Sequence, residues 1–172
     1  MPNQRLETDK INFLQLNNDK NMFTELDEQT PEAIGHNLIS LRIVNKYSAK
    51  RMASILGSNT STVSRYENGH FTLEHANLEF LKSYASACGK NKYYFFGAYL
   101  IFREFKDQIL EICLAQARIS KTAMSEKLGV SKTLVCTWFN EKERCPSHEL
   151  WQTAFKEATL SWIHKNSDIF ED

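Results

Sequence analysis

The chain has 172 residues, 42% of them hydrophobic, with only three prolines and six glycines. That length suits one larger domain or two small ones, and the composition points to a globular, helix-rich protein and excludes a fibrous or low-complexity chain. Twenty-one cations balance 21 carboxylates, which excludes a uniformly basic or acidic chain but hides an alternation of charge along it.

Residues 1–30 carry three cations against six carboxylates. This acidic, asparagine-rich extension, with one candidate strand in INFLQL at 11–16, is expected to be partly disordered. Its start, MPNQRLETDK, is polar where a secretory signal would be basic and then apolar. No apolar run nears the ~20 residues needed to span a bilayer, so a cytoplasmic protein without membrane contact is expected.

From residue 31 the charge reverses, with seven cations against four carboxylates over 31–90, and the pattern becomes helical. SAKRMASILGSNTSTVSRYEN at 48–68 reappears 72 residues later as SKTAMSEKLGVSKTLVCTWFN at 120–140. Ser48/Ser120, Met52/Met124, Leu56/Leu128, Gly57/Gly129, Val63/Val135 and Asn68/Asn140 are identical, and Tyr66/Trp138 are both aromatic. The chain thus reads as two copies of one module, 31–92 and 93–172.

In each copy Ser48 or Ser120 is an N-cap type, and Met52, Ile55 and Leu56, or Ala123, Met124 and Leu128, supply one face of a helix of about two turns. Gly57 and Gly129 close that helix in the left-handed conformation that glycine tolerates best. Asn59 and Ser131 are N-cap types again and open a second short helix, which completes a helix-turn-helix. For a helix starting at Thr60 the inward positions are Val63 and Tyr66, leaving Thr60, Ser61, Thr62, Ser64 and Arg65 on the other faces. Short donors and acceptors with one arginine suit a major groove, where base edges offer matching acceptors and donors. Hydroxyl residues alone would also fit an ordinary solvated face.

IGHNLISLRIVNKYSAKRMASILGSNTSTVSRYENGH, residues 34–70, resembles the Xre/Cro-cI repressors. Their lambda-repressor-like domain runs from an Ile-Gly start through a first helix, a second helix ending Leu-Gly, and a Ser/Thr-rich recognition segment closing in Glu-x-Gly. LEFLKSYASACGK at 78–90 is similar to the family's last helices, with Leu78, Leu81, Ala85 and Gly89 in place. The resemblance implies an all-α fold, here two tandem helix-turn-helix modules. It places Asn59, Thr60, Ser61, Thr62, Ser64 and Arg65 in the recognition segment, and Arg42, Lys46, Ser48 and Lys50 near the DNA backbone. It also implies a homodimer on paired half-sites. Ala49 stands where the family often has glutamine, and Asn-Thr-Ser-Thr lacks the glutamines that bind adenine in two places. Discrimination is therefore expected to lean on Arg65, methyl contacts and DNA shape.

The second copy is a looser match, with four cations against one carboxylate over 115–140. Arg118, Lys121, Lys132, Thr133 and Thr137 stand where polar DNA contacts would be, while Leu134 and Phe139 add apolar surface and Glu-Lys follows the helix in place of the glycine turn. Two uses are open to it, DNA contact or the grip of a protein partner. ERCPSHELW at 143–151 is similar to the family's turn into the next helix, with Pro146 at a first helical position.

Between the copies, KNKYYFFGAYLIF at 90–102 is too apolar for a flexible linker. Its Phe95, Phe96, Tyr99 and Phe102 fit a bridge between modules, plain core, or contact with a second subunit. The tail SHELWQTAFKEATLSWI at 147–163 sets Leu150, Trp151, Ala154, Phe155, Ala158 and Trp162 along one helical face, again core or interface.

Cys88, Cys113, Cys136 and Cys145 are irregularly spaced and read as reduced thiols used as small hydrophobes. Cys136, Cys145 and His148 lack the CxxC pair and fourth ligand of a zinc site. The five histidines have no metal spacing, and neither a phosphate-binding glycine loop nor a Ser, His and Asp grouping stands out, so no enzyme, metal or cofactor is expected. The sequence points to a sequence-specific double-stranded DNA-binding transcriptional regulator, a repressor or autoregulator of bacterial, phage or mobile-element type, with the helix 60–67 in the major groove. The other reading is a protein-binding module on the same helices, such as an antitoxin or an inhibitor of a host defence complex.

Overall fold

A computed structural model describes residues 29–171, and over them the chain is all-α. The INFLQL segment and nearly all of the acidic extension lie outside the described residues. The first module holds α1 (Pro31–Val44), α2 (Ala49–Ile55), α3 (Thr60–Glu67) and α4 (Leu78–Ala87). Then come α5 (Ala98–Glu104), α6 (Lys106–Ala117), α7 (Lys121–Leu128), α8 (Lys132–Asn140), α9 (His148–Ala154), α10 (Lys156–Lys165) and a 3-10 turn, Ser167–Phe170.

Local chemistry sets the helix boundaries in the same way in both copies. Ser48 Oγ accepts from Arg51 N at 3.0 Å and Ser120 Oγ from Ala123 N at 3.1 Å, while Asn59 Oδ1 accepts from Thr62 N at 2.8 Å and Ser131 Oγ from Leu134 N at 3.0 Å. Gly57 and Gly129 both have positive φ, +63° and +68°. Lys46 (φ 61°) and Arg118 (φ 55°), also 72 residues apart, are the two non-glycine residues with positive φ among those described. The repeat is therefore one of backbone conformation as well as of sequence.

Three local expectations are corrected. Ile55 is 41% exposed, and its place on the buried face of α2 goes to Ala53, whose counterpart Ser125 is buried in α7. A small residue there lets the paired helices approach closely. Pro146 lies before α9, whose N-cap is Ser147, and its carbonyl accepts from Tyr99 Oη at 2.7 Å. The tail is two helices that break at Phe155, which leaves Ala154 exposed and buries Thr159, whose hydroxyl accepts from Trp151 Nε1 at 3.0 Å.

The apolar bridge is intramolecular core. Phe95, Phe96, Ala98, Leu100, Ile101 and Phe102 are at most 1% exposed, and Trp151, Phe155 and Trp162 are buried with them in one continuous cluster that spans both modules. The faces expected to meet a second subunit are thus used inside this one. Helix α5 passes into α6 through a single non-helical residue, Phe105 (φ −111°, ψ 27°). Polar ties cross the junction as well. Arg103 Nη1 donates to the carbonyls of Leu73 and Ala76, both at 2.8 Å, Lys82 pairs with Glu104 at 3.0 Å, and His148 N donates to Glu74 Oε1 at 3.0 Å.

Within the second module, Lys106 ties α6 to the loop after α8. It shares the apolar stripe of Phe102, Ile109 and Leu110, is 4% exposed, and donates from Nζ to the carbonyls of Glu141 (2.7 Å), Lys142 (3.2 Å) and Arg144. Burial pushes its amine below the usual lysine range. Lys106→Met is expected to cost about 1–3 kcal/mol, because it strips three carbonyls of a charged donor. Urea unfolding of the two proteins measures this, and coincident curves would show that the loop after α8 does not depend on Lys106.

Candidate nucleic-acid interface

Helix α3 is anchored by two residues and leaves the rest of its surface outward. Val63 is fully buried, and Tyr66 stacks on Phe71 at 4.7 Å and packs on Phe80 at 4.4 Å while its hydroxyl accepts from Asn77 N at 2.8 Å. Thr60, Ser61, Ser64 and Arg65 are exposed and Thr62 is half-buried. With Asn68 and His70, those four exposed residues line an open concavity of about 440 Å³. Ser64 Oγ accepts from Asn68 Nδ2 at 3.1 Å, and the Arg65 guanidinium lies 5.3 Å from the Tyr66 ring centre. Asn59 starts the helix through its cap to Thr62, so its carbonyl oxygen is already engaged.

The cations expected at the backbone divide into two kinds. Lys46, Ser48 and Lys50 are exposed at the turn before α2 and along its first turn. Arg42, also expected near the backbone, is in addition committed to the fold. Its Nε and Nη2 both donate to the Glu67 carboxylate at 2.8 Å, and its Nη1 donates to the Tyr47 carbonyl at 3.0 Å. That fork pins α1 to the end of α3, and the Glu67 carboxylate raises the Arg42 pKa further. The single proton of Tyr84 Oη is shared between Glu67 Oε2 and the Leu38 carbonyl, each at 2.9 Å. Burial first, and the neighbouring carboxylate second, hold that phenol well above the ordinary tyrosine range, so it remains a donor.

Sequence reasoning missed this network, yet a signal was there. Arg42 continues the buried stripe of Ile34, Leu38 and Leu41, and a charge on an apolar stripe marks a buried pair. The charge pattern of the surface follows. Residues 33–66 hold five cations and no carboxylate, and with Arg42 taken by Glu67 the other four, Lys46, Lys50, Arg51 and Arg65, are all exposed. Outward hydroxyls and a local excess of exposed cations therefore coincide on α2, α3 and the turns before them.

The second copy repeats the geometry with different chemistry. Arg118, Lys132 and Thr133 are exposed, and Leu134 between them and Val135 is 40% exposed. Thr137 is half-buried and donates to the Leu134 carbonyl at 2.6 Å. Lys121 is half-buried with its Nζ 4.3 Å from the centre of the Phe139 ring. At the positions equivalent to Arg42 and Glu67 stand Leu114 and Phe139, both half-buried.

All four cysteines are free thiols, and among the described residues no group of three or more His, Cys, Asp or Glu side chains is placed to hold a metal ion. Among the same residues no helix is long and apolar enough to cross a membrane. Comparison with protein-family models, curated proteins and solved structures finds no match. The geometry of α3 and its surroundings therefore carries the assignment.

Proposed function

We propose that this chain is a sequence-specific double-stranded DNA-binding transcriptional regulator, a repressor or autoregulator acting in the cytoplasm of a bacterial host or encoded by its phage, that places α3 in the major groove. The observation that carries this is the outward face of α3. Thr60, Ser61, Ser64 and Arg65 are exposed together on a helix that Val63 and Tyr66 fix from behind, within a stretch, 33–66, that has four exposed cations and no carboxylate of its own. Arg65 can fork onto guanine O6 and N7, Thr60 and Ser61 can bond base edges or meet a thymine methyl, and Lys46, Lys50 and Arg51 supply sequence-blind attraction to phosphates.

Selection of bound duplexes from a random pool at fixed salt tests it. A recurring motif with affinity about 10³-fold or more above random duplex is the expected result. A pool that never converges would leave the protein-binding reading, for which the exposed Leu134 on α8 is the favouring observation.

A further inference from the structure

The two helix-turn-helix units share one hydrophobic core, and the aromatic residues expected at a contact between chains, Phe95, Phe96, Trp151 and Trp162 among them, are buried in it. We infer that one chain reads a bipartite, asymmetric duplex site with α3 and α8 together, without a second subunit. This rests on the DNA reading of α3 and extends it to a class of site and a stoichiometry.

Three observations support it. First, the second unit keeps the parts that aim a recognition helix. Both caps, the left-handed glycine and the left-handed basic residue at the preceding turn recur at the same spacing, and Lys132 and Thr133 stand exposed where α3 has Thr60 and Ser61. Second, the stretch that joins the modules, between α4 and α5, buries Tyr93, Phe95 and Phe96 in the shared core, and the Arg103, Glu104 and Glu74 bonds cross from one module to the other, so the two heads are packed together and not hung on a free linker. Third, a single short module buries roughly 600–1,000 Å² on DNA, less than many specific complexes use, and helix-turn-helix proteins with one head commonly make up the difference by dimerising. Among the described residues the large apolar side chains left exposed are Ile43, Val44, Ile55, Ile112 and Leu134, on four different helices. Five such side chains fall short of the roughly 800 Å² per partner of a stable interface. The second head in the same chain can supply what a second subunit would.

The heads also border one trough. A concavity of about 330 Å³ against Thr62 and Arg65 shares Asn77 and Glu79 with a cleft of about 600 Å³ against Phe139, Asn140 and Lys142. Five carboxylates, Glu74, Glu79, Glu104, Asp107 and Glu143, line that cleft against Arg103, Lys106 and Lys142. Their excess repels phosphates from its floor, which disfavours DNA contact between the two heads. The protected DNA should therefore fall in two patches with an open gap.

The test uses the full chain on the duplex selected from a random pool, with native mass spectrometry for stoichiometry and hydroxyl-radical footprinting for contact. The expected result is one chain per site, a sequence without dyad symmetry, two protected patches, and a loss of about tenfold or more when either 5 or 10 base pairs are inserted between them, since heads packed on one core tolerate neither. Lys132→Ala with Thr133→Ala, both exposed, should relax preference in one patch and leave the other intact. Two chains on a palindrome, or affinity indifferent to both insertions, would overturn the inference and leave the reading of α3 standing. Failure to select any duplex would end both.

Discussion

Glu67→Ala should lower the unfolding free energy by about 3–5 kcal/mol, the cost of leaving one partner of a buried ion pair behind. The Glu67 side chain is 6% exposed and Arg42 15%, so neither charge is well hydrated in the fold. Removing the carboxylate strands two guanidinium donors, and it deprives the Tyr84 hydroxyl of one of its two acceptors. Against a typical total of about 5–15 kcal/mol, that loss is enough to populate the unfolded state at ambient temperature. The second copy indicates how the loss can be repaired, because Leu114 and Phe139 occupy the equivalent positions. Arg42→Leu combined with Glu67→Phe should recover more than half of the stability, as exchange of a buried pair for packed apolar groups is often neutral or better. Chemical unfolding of both variants decides this. A single mutant within about 1 kcal/mol of wild type would mean that the pair behaves as a surface bridge.

Gly35→Ala is expected to destabilise the first module although alanine is the better helix former. At an exposed helical site the change would gain up to about 1 kcal/mol. Here a Cβ would fall against the Glu67 carbonyl and within 2.9 Å of the Tyr66 carbonyl oxygen, which are backbone atoms with no rotamer to yield. Overpacking of this kind costs about 1–3 kcal/mol, so the sign reverses. The obstruction lies where α1 crosses the end of α3, and relief by separating the helices would disturb the Arg42 fork and tilt α3. Loss of DNA affinity beyond the loss of stability should follow. In the second copy the equivalent residue is Asp107, which is exposed, so Asp107→Ala is the control expected to change little. A Gly35→Ala protein with raised thermal stability would refute the close crossing.

What was legible in the sequence was the short-range part. Caps, left-handed glycines and the spacing of Val63 and Tyr66 act over a few residues, and they fixed α2, α3, α7 and α8 before any tertiary contact was known. The outward face of α3 followed from the same periodicity. Long-range pairings were harder to read. Arg42 and Glu67 meet across 25 residues, and Lys106 reaches carbonyls 35 to 38 residues away, so Arg42 was expected at the DNA backbone and Lys106 drew no expectation until the crossing of helices placed them. Both lie on apolar stripes, which is the sign that could have found them. Ile55 misled in the opposite sense, since α2 is so short that its buried side is a narrow strip held by Met52 and Ala53. The bridge of aromatic residues was ambiguous for a different reason. Apolarity predicts burial but does not say whether the burial is within one chain or between two.

Arg65→Ala combined with Thr60→Ala tests the central claim most directly, because both residues are exposed and the contact of Arg65 with the Tyr66 ring is worth only about 0.5–1 kcal/mol at such a site. Affinity for the duplex selected by the wild-type chain should fall by about 1–3 kcal/mol for each well-formed bond to a base edge that the substitutions remove, while affinity for random duplex and the unfolding midpoint stay close to wild type. That pattern, specific binding weakened and non-specific binding kept, is what α3 in the major groove predicts. Equal affinity of the double mutant and the wild type for the selected site would contradict it.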